Sequence, residues 1–189
     1  MQTLEDLLAR WDSPEGHPYK GSLIDWEAYE ANPDSLGCMC AQGQALHVLG
    51  GWEPARIKAI GEQAEADREV AKLLNISVAH AILLRQVNDK VEGAPSIVLT
   101  DPGKVLGSEW SRLLDFWWHL DQMTDEQWDA ARDAARAAAR GTAGAAASEI
   151  QGAHLLRERG KPFFFLPMFG FATPEDIPAR PANYGELSA

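Results

Sequence analysis

Cys38 and Cys40, separated by Met39 and followed by His47, form the densest group of metal-ligating and nucleophilic side chains in the sequence. Two thiolates and an imidazole are three of the four ligands of a tetrahedral zinc site, with His17 a candidate for the fourth. The spacing argues against zinc, because structural sites set a Cys pair about two to four residues apart and often hold a second pair. The group also has a nucleophilic reading. A helix pattern begins after Gly37, a thiol at a helix N-terminus has a depressed pKa, and a distant His can serve as base. No matching His–Asn pair accompanies it, so Cys38 and Cys40 are expected to be small buried apolar residues. Neither a metal, a cofactor nor a catalytic residue is expected, and a Cys-dependent or zinc-containing protein is kept as an alternative.

Arg68 to Ser77 followed by Val78 to Val87 has the layout of a helix-turn-helix, whose second helix must offer polar side chains to base edges. Only His80, Arg85 and Gln86 qualify as readers, and Ile82-Leu83-Leu84 is costly to expose. A buried pair of bundle helices is the expectation, with a DNA-binding regulator as the alternative. Gly103-Lys104 lacks the G-x-x-x-x-G-K-[ST] frame that cradles phosphate. His119 and His154 fall at apolar helix positions and read as hydrogen-bonded core or boundary residues. The segment Phe163 to Phe171 holds five of the six Phe, and with Met168 it supplies Phe163, Phe164, Phe165 and Phe169 as candidate partner contacts. Its competing role is an internal strap, in which burial stabilises by about 1.5–3 kcal/mol per ring.

The elements that would hold these residues are helical. Thr3 can cap a helix striped by Leu4, Leu7, Leu8 and Trp11. A second short helix runs through Ile24, Trp26 and Tyr29 and ends at Asn32-Pro33. A third spans Cys38 to Leu49, with Gly50-Gly51 as its stop and Pro54 opening the next. Residues 62–88 form one helix, or two joined at Asn75-Ile76-Ser77. Ile97-Val98-Leu99 is the one brief strand expected. Ser108 caps an apolar helix from Trp110 to Leu120, expected to be central, and Thr124-Asp-Glu-Gln127 is a capping box for the next. Eleven Ala between 130 and 147 extend that helix, with Arg132, Arg136 and Arg140 as one basic stripe. The pattern resumes through Ile150, Leu155 and Leu156, and Pro174, Pro178 and Pro181 mark an extended tail. The fold class is all-α: an irregular multi-helix bundle with an aromatic-rich C-terminal strap. The domain reading is one helical domain over 1–172 and a Pro-rich tail over 173–189.

The chain has 189 residues and a net charge of −11, which disfavours nucleic acid and anionic membrane as partners. Residues 1–36 carry eight carboxylates against Arg10 and Lys20, expected to be a solvated acidic surface, with a face for a basic partner or an imitation of nucleic acid as the alternatives. No stretch has a signal-peptide pattern or enough uninterrupted apolar residues for a membrane span. The cytoplasm is the expected compartment.

Gly37-Cys-Met-Cys-Ala-Gln-Gly-Gln44, Trp128-Asp-Ala-Ala-Arg-Asp-Ala-Ala-Arg136, and Glu149-Ile-Gln-Gly152 through Phe171 resemble Ala-rich, mostly uncharacterised accessory proteins of bacteriophages that infect actinobacteria. The resemblance covers about half the chain, the Phe-rich block being its more specific part. It implies a phage protein made in the host cytoplasm and transfers no activity or catalytic residue. The functional expectation is therefore a non-enzymatic protein that binds a host or phage protein, or a second copy of itself.

Overall fold

The computed structural model describes residues 3–14, 16–138 and 166–184, with the backbone alone for 135–138. The chain divides into two compact units. Unit 1 comprises Met1–Asp101 with Asn183–Ala189, and unit 2 comprises Pro102–Ala182.

Unit 1 begins with α1 (Leu4–Asp12), closed by a capping box between Thr3 and Asp6 and burying Leu4, Leu7 and Trp11. A six-residue helix, α2 (Trp26–Ala31), follows after Asp25 caps it, and none of its residues is buried. A 3-10 turn at Leu36–Cys38 leads into α3 (Ala41–Val48). α3 is buried from Ala41 through Leu46, Gln42, Gly43 and Gln44 included. It is the hub of the unit and packs on α1, α4 (Pro54–Lys58), α5 (Gln63–Leu74) and α6 (Val78–Lys90).

The stretch 62–88 is thus two helices, meeting at 110°. Asn75 makes the corner in a left-handed conformation (φ 53°, ψ 42°), which Asn tolerates better than most L-residues. A short helix, α7 (Ile97–Thr100), closes the unit against α6.

Ile97-Val98-Leu99 is therefore helical, which corrects the strand expected there. A strand needs a paired neighbour. Here Ser96 is already in the right-handed helical region, and the backbone donates from Val98 to Pro95 and from Leu99 to Ser96. Among the described residues no strand forms; the one extended pairing is an isolated antiparallel bridge between Ile24 and Met39.

Unit 2 contains α8 (Pro102–Leu106), α9 (Trp110–Gln122) and α10 (Asp125–Ala138). α9 buries Leu113, Leu114, Asp115, Phe116, Trp117 and Leu120. Thr124 and Gln127 exchange the two hydrogen bonds of the expected capping box. A 3-10 turn at Leu166–Phe169 packs on α10, and Phe169 meets Phe116 edge-on at 5.1 Å between ring centroids. A second 3-10 turn covers Pro174–Asp176. Beyond it, Arg180 Nη1 donates to Asp115 at 2.6 Å and to the Ser111 carbonyl at 3.1 Å. Within the stretch read as an extended tail, Arg180 is thereby held to α9. The Ala-rich continuation beyond 138, with Arg140 and the 150–156 helix pattern, lies outside the described residues.

The fold is all-α. Among the described residues, no single helix is long and apolar enough to cross a membrane.

Candidate functional site

Cys40 is the N-cap of α3, and its Sγ accepts a hydrogen bond from the Gly43 amide at 3.4 Å. The helix begins at Ala41 rather than at Cys38, so of the two thiols only Cys40 stands at its terminus, and there burial outweighs the dipole and pushes the thiol up to about 11. Cys38 is also raised, burial again being the main cause, and its thiol donates to the Ser35 carbonyl at 3.0 Å. His47 turns the other way and donates from Nδ1 to the Trp52 carbonyl at 2.7 Å. His17 contacts the Trp11 carbonyl. No group of three or more metal-ligating side chains exists among the described residues. The four residues are thus not brought into one centre.

The thiols make a measurable prediction. Cys40 loses its proton near 9 when unfolded and near 11 when folded, so the native state binds the extra proton between these values. Stability is full below about pH 9 and falls as pH rises towards 11, by up to about 3 kcal/mol from this group. Denaturant unfolding of wild type and Cys40→Ala across that range checks it: the variant is expected to show the shallower decline.

The α5–α6 corner has helix-turn-helix geometry, yet two of the three expected base readers are committed elsewhere. His80 is buried and donates from Nε2 to the Val98 carbonyl at 2.7 Å, which fixes its Nε2-protonated form. Arg85 forks onto Asp67, with Nε donating to Oδ1 at 3.0 Å and Nη2 to Oδ2 at 2.9 Å. These bonds hold the guanidinium above its ordinary pKa. Gln86 is half-buried.

Asp67 is 2% exposed and also accepts from Gln42 Nε2 at 2.8 Å. Gln42 Nε2 makes a second bond, to the Ala81 carbonyl, which fixes the amide: a flip would set its oxygen against a carboxylate and a carbonyl. The result is a buried Gln42–Asp67–Arg85 network joining α3, α5 and α6. Its last acceptor, Gln42 Oε1, has no hydrogen-bond partner among the described residues.

Above this network lies a cleft of about 220 Å³. One wall is the chain from Gly21 to Ile24, held against the start of α3 where the Cys40 amide donates to Leu23 and the Asp25 amide to Cys38. Gly43 is required for this approach, since a Cβ there would stand 2.1 Å from the Leu23 carbonyl oxygen. The opposite wall is the end of α4 and the start of α5. Lys58 lines the cleft and sits over the Trp26 ring, 3.9 Å from its centroid.

Comparison with protein-family models, with curated proteins and with solved structures gives one result. No match is found.

Of the Phe-rich candidates, Phe163, Phe164 and Phe165 lie outside the described residues. Met168 is half-buried. Phe169 is half-buried within unit 2, edge-on to Phe116 and to Trp128. His119 meets Phe171 edge-on at 4.9 Å, and burial lowers its pKa.

The acidic N-terminal third is partly structural. Asp6 and Asp25 cap helices, Asp12 bonds Ser96, and Glu30 accepts from the Trp26 indole at 2.6 Å. Glu27 and Asp34 are exposed beside them. The surface that sequence reading missed is α2: the Trp26 and Tyr29 rings lie 5.0 Å apart, tilted by 38°, on a helix with no buried residue. Their spacing on a short segment between Gly21 and Pro33 was the available signal.

Proposed function

We propose that the protein is a non-enzymatic binding protein that engages a basic segment of another protein through the α2 surface. The supporting observation is an aromatic pair, Trp26 and Tyr29, on a helix that buries nothing and is flanked by Glu27, Glu30 and Asp34. Trp and Tyr are the side chains that most often anchor protein interfaces, and such rings with carboxylates beside them favour Lys and Arg. Lys58 over Trp26 is the intramolecular instance of that contact. The resemblance read from the sequence to actinobacteriophage accessory proteins adds an expectation: a host or phage protein as partner and the host cytoplasm as the setting.

The helix-turn-helix alternative gains little from the 110° corner, because His80 and Arg85 serve the interior. A thiol or zinc function loses support from the separation of Cys38, Cys40 and His47.

The test is capture from host lysate by wild type, by Trp26→Ala and by Glu27→Lys/Asp34→Lys. These side chains are not buried, so the variants are expected to fold. A stoichiometric basic protein retained by wild type, released by raised salt and lost by both variants supports the reading. Capture that is indifferent to both variants removes α2 as the contact.

A further inference from the structure

The cleft above the Gln42–Asp67–Arg85 network has a composition at odds with the chain around it. The protein carries a net charge of −11, yet the lining includes Lys58 and Arg85 and, among the described residues, no carboxylate. Arg85 has five N–H donors, and its fork spends one from Nε and one from Nη2 on Asp67. The plane of the guanidinium is thereby fixed before any ligand arrives, leaving donors for a second acceptor. Lys58 adds an exposed ammonium, placed over the Trp26 ring 3.9 Å from its centroid. The N-cap of α5, Glu62, makes no side-chain hydrogen bond to the helix, and Gln63, its first residue, lines the cleft. Lys58 and the unspent donors of Arg85 favour an anion, against the carboxylates of Asp67, which pairs with Arg85, and of Glu62 at the N-cap.

Gln42 adds a second demand. It is fully buried, both its Nε2 bonds are used within the protein, and its Oε1 lacks a partner among the described residues. That oxygen can only accept, so the complementary ligand group is a donor. Ile57 and Ile60 supply an apolar wall, and the volume suits a group of amino-acid size rather than a drug-sized molecule.

We propose that this cleft binds a small carboxylate with an adjoining N–H donor and a short aliphatic group, as in an N-acylated amino acid or the last residue of a peptide chain. The carboxylate lies with Arg85 and Lys58, the N–H serves Gln42 Oε1, and the aliphatic group rests on Ile57 and Ile60. Lys58 is shared with the α2 surface through its contact with Trp26, whereas Arg85, Gln42, Ile57 and Ile60 are not, so the amide and ester controls test this site whatever becomes of the α2 contact.

The experiment is titration of the full chain with N-acetyl-L-valine, followed by backbone amide shifts. Saturable shifts at Gly61, Gln63 and Ala66 are expected. N-acetyl-L-valinamide lacks the charge, and 2-acetoxy-3-methylbutanoate replaces the N–H with an ester oxygen. Each is expected to bind about tenfold more weakly, as is N-acetyl-L-valine to Lys58→Gln, an exposed position that leaves the fold intact. Matched ligands test the role of Gln42 without requiring a Gln42 variant to fold. Absence of shifts at these amides, equal binding of either control, or equal binding of inorganic phosphate overturns the assignment. A pentapeptide with a free C-terminal Val, compared with its amide, identifies the source of the carboxylate. Preference for the peptide over N-acetyl-L-valine indicates a chain terminus, and parity indicates a small molecule.

Discussion

Replacing Arg85 with Ala is expected to destabilise unit 1 by about 3–5 kcal/mol, the cost of leaving one member of a buried ion pair alone. Asp67 is 2% exposed and would keep Gln42 Nε2 but lose both guanidinium bonds. Asp67→Ala is expected to cost less, because the Arg85 side chain is 19% exposed and can turn towards water. The decisive comparison is the double variant Asp67→Leu/Arg85→Met. Removing both charges spares their desolvation, so the double variant should be more stable than Arg85→Ala by more than about 1 kcal/mol. Hydrogen exchange at α6 amides reads this unit by itself. If the double variant is as unstable as the two single losses added together, the pair is not the coupled element described here.

Trp11→Ala is expected to cost a similar amount, about 3–5 kcal/mol, by a different route. Trp11 is fully buried, and its indole donates to Gln44 Oε1 at 3.1 Å, fastening α1 to α3. Gln44 Nε2 in turn donates to the carbonyls of Leu36 and Met39. Trp11→Phe separates the terms. It keeps most of the ring but orphans Gln44 Oε1, for an expected loss of about 1–3 kcal/mol. Urea unfolding followed by far-UV circular dichroism measures both, and a Phe variant as damaging as Ala would mean that shape rather than the hydrogen bond governs the site.

Helix positions were legible where local signals act alone. Thr3, Pro54, Gly50-Gly51 and the Thr124 box each start or stop a helix as their chemistry dictates. The strand at Ile97 was misread because β-branched, apolar residues satisfy a single buried helical turn as well as a strand. The candidate site was less legible. By helical spacing Ala41, Ala45, Leu46 and Leu49 share one apolar side, whereas Gln42, Gly43 and Gln44 are buried too. Burial of an amide is permitted only by partners from distant segments, such as Asp67 and Ala81 for Gln42, and no local window contains them. One signal did exist: residues 35–52 contain no Asp, Glu, Lys or Arg, in a chain that is 24% charged. The cysteines show the opposite failure. A helix start near them was readable, though only Cys40 stands at it, and the burial that keeps Cys40 protonated is a tertiary effect.

Asn183 belongs to unit 1 although all of unit 2 precedes it in the chain, and its carbonyl accepts from Asn75 Nδ2 at 2.7 Å. On the ribosome, synthesis runs from the N-terminus at about 5–20 residues per second. Residues through Asp101 therefore emerge with nearly all of unit 1's core groups, from Leu4 to Leu99, before any of unit 2 exists. The bond at the Asn75 corner must wait until Pro102–Ala182 has been made. The first-born half of the molecule is thus the last to be finished, and its closing bond falls at the left-handed residue between α5 and α6.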